Sequence, residues 1–139
     1  MDGTIIKLHN FDLSDPIDLK SAVKALGGNT KTYFGILAKI EVNSLNKEME
    51  RLTSAIASED LKNVKYALST LLSAAGYAGA GHVYYACYYM WEPCNANKIQ
   101  EMLEYYPLLI EVVIDFKRFS RKFLSECKGK VKYCFRNLI

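Results

Sequence analysis

The chain has 139 residues, half of them apolar and 24% charged, which is ordinary for one soluble globular domain and long enough for a core that needs no staples. No apolar run approaches the roughly 18 residues of a membrane span, and the first ten residues do not have the basic-then-apolar pattern of a secretory signal, so neither is expected. The net charge of +3 hides an asymmetry: residues 117–139 hold eight Lys or Arg against Glu126 alone, and the rest of the chain is net acidic.

In chain order, Ser14-Asp15-Pro16 reads as a helix start, a side-chain cap with proline in the first turn. That helix is expected to pass through Leu19, Val23 and Leu26 and stop at Gly27-Gly28. Asn29 or Thr30 then caps a long helix whose apolar stripe runs from Tyr33 and Phe34 through Leu37, Ile40, Leu45, Met49 and Leu52 to Ile56, with a local bend expected at Asn43-Ser44. Ser58-Glu59-Asp60 is the next start signal, its acids suited to the positive end of a helix dipole.

The third long helix puts Leu61, Val64, Leu68, Leu71 and Ala75 on one face and runs into the glycine-containing stretch 76–81, where glycines end a helix or admit a close neighbour. Residues 82–91 form a fourth helix ringed by Tyr84, Tyr85, Tyr88, Tyr89 and Trp91, the pattern of a central helix packed on several sides, with Glu92-Pro93 as its stop. Asn95 is read as the cap of a last helical region to about Ser125, which Pro107 must kink or split near Tyr106. No run alternates with period two, so the expected fold is all-α: an antiparallel four-helix bundle with an additional short N-terminal helix.

The chemistry-bearing residues are sparse. Cys87, Cys94, Cys127 and Cys134 lie in two pairs seven apart, no C-x-x-C occurs, and the two histidines are His9 and His82. Reduced, buried thiols in a cytoplasmic or nuclear setting are therefore expected rather than a zinc site. No phosphate-binding or dinucleotide-binding glycine loop is present, and neither histidine is placed to activate a thiol, so no enzyme active site, cofactor or metal is expected.

The third helix has one unusual face. At 100° per residue, Ser69, Leu72, Ser73 and Gly76 gather away from the core stripe, where a plain solvent face would carry Lys and Glu. Either another helix covers this face or a partner docks on it. The basic tail likewise reads as a solvated helix end, as a contact for an acidic partner, or as a surface for nucleic acid or membrane; helical core spacing of Phe116, Phe119 and Phe123 weakens the last.

Residues 69–87 read Ser69-Thr70-Leu71-Leu72-Ser73-Ala74-Ala75-Gly76, then Tyr77-Ala78-Gly79-Ala80-Gly81-His82-Val83 and on to Cys87. This stretch resembles the signature of the histidine-containing phosphotransfer (HPt) domain: His, any residue, Leu, Lys, Gly, two small residues, a later Gly-Ala, then an apolar residue and often Cys on the next helix. Leu71, Ala74-Ala75, Gly79-Ala80, Val83 and Cys87 fall on the pattern. Asp18-Leu19, the 26–29 turn and the segment from Phe34 to Leu37 resemble the family's first helices, and the stretch 106–111 its final one, so the likeness spans about residues 11–125 of a single domain 1–139, leaving 126–139 as a basic tail.

Three positions depart. Ser69 stands at the phospho-accepting histidine, Leu72 at the usual Lys and Ser73 at the usual Gly. The family's neutral imidazole is nucleophilic near pH 7, whereas a serine hydroxyl needs an activating base, and Lys65, Tyr66 and Ser73 do not supply one. With Leu72 the phosphate-steadying charge is lost too. The resemblance therefore implies a degenerate member that binds the receiver domain of a response regulator or hybrid histidine kinase without relaying phosphate, through Lys65, Ser69, Leu72, Ser73 and Gly76. Phosphotransfer on Ser69 or His82 is one alternative. A structural bundle whose basic tail meets an acidic partner is the other.

Overall fold

The computed structural model describes residues 11–40 and 44–127. The expectations that fall on His9, Asn43, Cys134 and the basic run 128–139 lie outside them. Among the described residues there are seven helices and no strand: α1 (Leu19–Ala25), α2 (Thr30–Lys39), α3 (Leu45–Ala57), α4 (Leu61–Ala78), α5 (Gly81–Asn95), α6 (Ile99–Glu104) and α7 (Tyr106–Cys127). The chain is an all-α bundle.

Short polar side chains start three of the helices. Asn29 caps α2 by accepting from the Thr32 N–H at 3.0 Å, and Asp60 caps α4 by accepting from the Asn63 N–H at 3.2 Å, both as the sequence predicts. The start of α1 differs. Asp18, not Ser14 or Asp15, is the cap, accepting from the Ser21 N–H at 3.1 Å, while its second oxygen accepts from the Asp12 N–H at 2.8 Å. Ser14 instead donates its hydroxyl to Asp12 Oδ1 at 2.7 Å and its N–H to the same oxygen at 3.0 Å, and these two bonds from Ser14 hold the Asp12 carboxyl below its usual value.

Four helices end in one geometry, in which a left-handed residue lets two N–H groups fold back onto the last turn. At α4, Gly79 (φ +73°) donates to the Gly76 carbonyl and Ala80 to that of Ala75; at α1, Gly27 (φ +68°) and Gly28 do the same to Lys24 and Val23. Glu59 (φ +56°) closes α3 and Asn97 (φ +60°) closes α5 without glycine. A left-handed side chain such as Glu59 costs about 1 kcal/mol in Cβ strain. Glu59→Gly is therefore expected to raise stability by up to about 1 kcal/mol, read as a higher urea midpoint at unchanged slope.

The α5 stop also corrects an expectation. The helix does not end before Pro93 but runs through it to Asn95, so Asn95 caps nothing, and Lys98 precedes α6 without a side-chain cap. Pro93 removes one backbone donor, and the turn closed by the Lys98 N–H on the Pro93 carbonyl at 2.8 Å compensates at the same end. Pro107 divides the last helical region as expected, giving α6 and α7. Over the helix expected at 30–56, α2 and α3 are described on either side of residues 41–43, and Ile40 and Ser44, which flank those residues, keep helical backbone.

α4 packs against α1, α2, α3 and α5, and α5 against α4, α6 and α7. With short turns between successive helices, α3, α4 and α5 alternate in direction. The core holds Tyr33, Leu37, Leu52, Leu68, Leu71, Met90 and Phe116, all fully buried. Each such aliphatic or aromatic side chain stabilises the fold by about 1.5–3 kcal/mol, which offsets the poor helix propensity of the tyrosines and cysteines in α5.

The end of α4 is pinned by the N-terminal elements. The Tyr33 hydroxyl donates to the Ala78 carbonyl and the Asp18 N–H to the Gly79 carbonyl, both at 2.7 Å. Two carbonyls that a helix C-terminus leaves unpaired are thereby satisfied. Burial, with a smaller effect from the Asp18 carboxylate, pushes the Tyr33 phenol well above its ordinary 10.0. A raised folded pKa means that the unfolded chain loses its proton first, so stability is intact below about pH 10 and falls as pH rises beyond it. Chemical unfolding is expected to weaken by up to about 1.4 kcal/mol per pH unit there from this group. Tyr33→Phe should remove that component of the slope.

Candidate functional site

The residues that the sequence singles out sit on α4, and the structure divides them. Val64, Ala67, Leu68, Leu71, Leu72, Ala75 and Ala78 are buried, Ser73 is exposed, and Lys65, Ser69 and Gly76 are half-buried along one flank. Leu72 is the correction. It is 4% exposed and belongs to the core, not to an outward patch. Leu72 lies about 80° round the helix from Val64, whereas Ser69 lies about 140° from it. Four neighbouring helices widen the buried arc of α4 enough to take in the first and leave the second at its margin.

What faces outward is a different set. Tyr66 and Tyr77 are 58% and 68% exposed and, with Ser73, fall within about 40° of one another on the wheel. Ser69 borders them on one side. Thr70 borders them on the other, its hydroxyl donating back to the Tyr66 carbonyl at 3.0 Å. The face is thus two large phenols separated by small hydroxyl side chains. No Asp, Glu, Lys or Arg occurs anywhere in residues 66–91.

Charge stands at the N-terminal edge. Exposed Lys62 of α4 lies about 40° from Tyr66 on the wheel, and Arg51 of α3 lies over the Tyr66 ring, 5.3 Å from its centroid, and pairs with Glu48 at 3.4 Å. This contact anchors the Tyr66 ring from behind with a cation–π attraction of about 0.5–1 kcal/mol. Exposed aromatic rings amid small residues, with Lys and Glu excluded, have the composition of a protein contact surface. The signal was available in the sequence as the eleven-residue spacing of Tyr66 and Tyr77, three helical turns apart on one face.

The chemistry at Ser69 is limited. Among the described residues, no His, Asp or Glu side chain hydrogen-bonds its hydroxyl, and the cation within one turn is Lys65. His82 is engaged elsewhere. Its Nε2 is 2.8 Å from the Leu13 carbonyl, and because a carbonyl only accepts, Nε2 carries the proton and donates. That nitrogen is therefore not a free nucleophile. The same segment is held by Phe11, edge-on to Tyr84 with centroids 5.5 Å apart.

Cys87 and Cys94 are buried free thiols. Seven helical residues separate them by about 10.5 Å along α5, beyond disulfide reach. Burial pushes both thiols up, with Lys65 pulling weakly the other way at Cys94, so neither is a ready thiolate. Among the described residues, no group of three or more His, Cys, Asp or Glu is placed to hold a metal ion, and no helix is long and apolar enough to cross a membrane.

No protein-family model matches this chain, and no curated protein or solved structure matches it either.

Proposed function

We propose that this chain is a non-catalytic, HPt-like adaptor that binds receiver domains through the outer face of α4 without relaying phosphate. The observation that carries the reading is the uncharged tyrosine-and-serine face. Tyr66, Ser73 and Tyr77 stand exposed on α4, beside a half-buried Ser69 where the resembled family bears its histidine. Around Ser69 neither a base nor a phosphate-steadying cation at position 72 is available, and the leucine there serves the core. What this leaves is a surface suited to contact and unsuited to phosphoryl chemistry. An adaptor of this kind would work in the cytoplasm, or in the nucleus.

The test is a titration of the chain against a panel of receiver domains from its own genome, followed by calorimetry. Saturable binding to at least one receiver is expected, weakened about tenfold by Tyr77→Ala, the size typical of a central tyrosine anchor. Ser73→Arg should abolish it by placing an unpaired charge in the contact. Ile114→Ala, an exposed change on α7, should leave it unaltered. Binding that ignores Tyr77 and Ser73, or no binding to any receiver, would overturn the reading.

A further inference from the structure

A cleft of about 210 Å³ opens at the far end of α5, lined by Tyr89, Glu92, Pro93, Ala96, Lys98, Glu101 and Tyr105. The face of α4 described above contributes no residue to it. Its aromatic wall is Tyr89 and Tyr105, whose ring centroids are 5.6 Å apart at 30°. Tyr89 is 47% exposed, in contrast to the buried Tyr84 and Trp91 of the same helix. Its acidic side is Glu92 and Glu101, both exposed; among the described residues neither is in an ion pair, and the Tyr88 hydroxyl donates to Glu92, leaving that carboxylate further acceptor capacity.

We propose that this cleft receives a guanidinium group. A cleft with two carboxylates outside any ion pair beside an aromatic wall calls for a ligand that is positively charged and rich in N–H donors. The flat tyrosine pair selects among such ligands. A planar guanidinium stacks on a phenol face while its edge donates in parallel to a carboxylate, and a compact ammonium does only one of these at a time. Lys98 on the rim is the opposing feature. Its charge disfavours any cation in the cleft and sets the sign of one test. The group belongs either to an arginine of a partner chain or to a small guanidino compound, and the chemistry is the same.

The experiment is a titration of the isotope-labelled full chain, followed by amide shifts, with N-acetyl-arginine amide, its lysine counterpart and the uncharged isostere N-acetyl-citrulline amide. Saturable shifts confined to residues 88–105 are expected for arginine, weaker ones for lysine and none for citrulline. Glu92→Gln with Glu101→Gln should weaken arginine binding at least about tenfold, the loss expected for charge-assisted bonds. Lys98→Ala should strengthen it, which a merely structural role for that residue would not do. Agmatine run beside the blocked amide distinguishes a small guanidino ligand from a chain-borne arginine, whichever binds more tightly. Equal binding of citrulline, lysine binding as tight as arginine, or an unchanged affinity in the folded double variant would each overturn the proposal.

Discussion

Leu72→Lys is expected to destabilise the protein by about 3 kcal/mol, whereas Ser73→Lys, one residue on, should stay within about 0.5 kcal/mol of the parent. Leu72 is 4% exposed and packed in the α4 core, so the change removes a buried aliphatic side chain and asks an ammonium to reach past its neighbours to water. Ser73 already faces solvent. Urea unfolding of the two variants measures the difference. The result bears on function as well as stability. A lysine at position 72, which in the resembled family steadies phosphate, is here in conflict with the packing of α4. Nearly equal effects at 72 and 73 would mean that Leu72 is not a core residue.

Gly79→Val is expected to cost at least about 3 kcal/mol, through left-handed strain and overpacking together. Gly79 has φ +73°, and a Cβ there would lie 2.7 Å from the Asp18 carbonyl oxygen and 2.8 Å from the Ala22 Cβ. Both obstacles belong to the start of α1, and the first is backbone, so relief requires α1 to move off the end of α4. That movement would break the 2.7 Å bond from the Asp18 N–H to the Gly79 carbonyl. Hydrogen exchange should show amide protection lost first in α1. Gly28→Ala is the comparison: it shares the left-handed backbone, at φ +81°, but a Cβ there meets nothing within 4 Å. It should cost only the strain, about 1–2 kcal/mol.

The bundle was legible in the sequence wherever a local signal decides the outcome. Asn29 and Asp60 are caps because their short side chains reach the third N–H of the next turn, and Gly27 and Gly79 are stops because left-handed backbone favours a residue without Cβ. Pro107 divides α6 from α7 for an equally local reason. Where two signals competed, local reading chose wrongly. Ser14-Asp15-Pro16 has the composition of a helix start, but Asp18 takes that role while also binding the Asp12 N–H six residues back. Pro93 reads as a stop, but a helix tolerates one lost donor near its end when a left-handed Asn97 closes the turn behind it.

The candidate site was half legible for a different reason. Periodicity gives the angle of each α4 residue and says nothing of how wide the buried arc is. That width depends on α1, α2, α3 and α5 all meeting α4, which is a property of the assembled bundle. Leu72 therefore moved from the patch to the core. Tyr66 and Tyr77, unremarkable as letters in a tyrosine-rich chain, are the most exposed rings among the described residues.

The most direct measurement of the central proposal mixes the chain with a receiver domain carrying a labelled aspartyl phosphate and follows complex formation and label position together. A complex that Ser73→Arg abolishes is expected, with the label remaining on the receiver or lost to water and none on this chain. Acid-labile or acid-stable label accumulating on this chain, at His82 or Ser69, would contradict it.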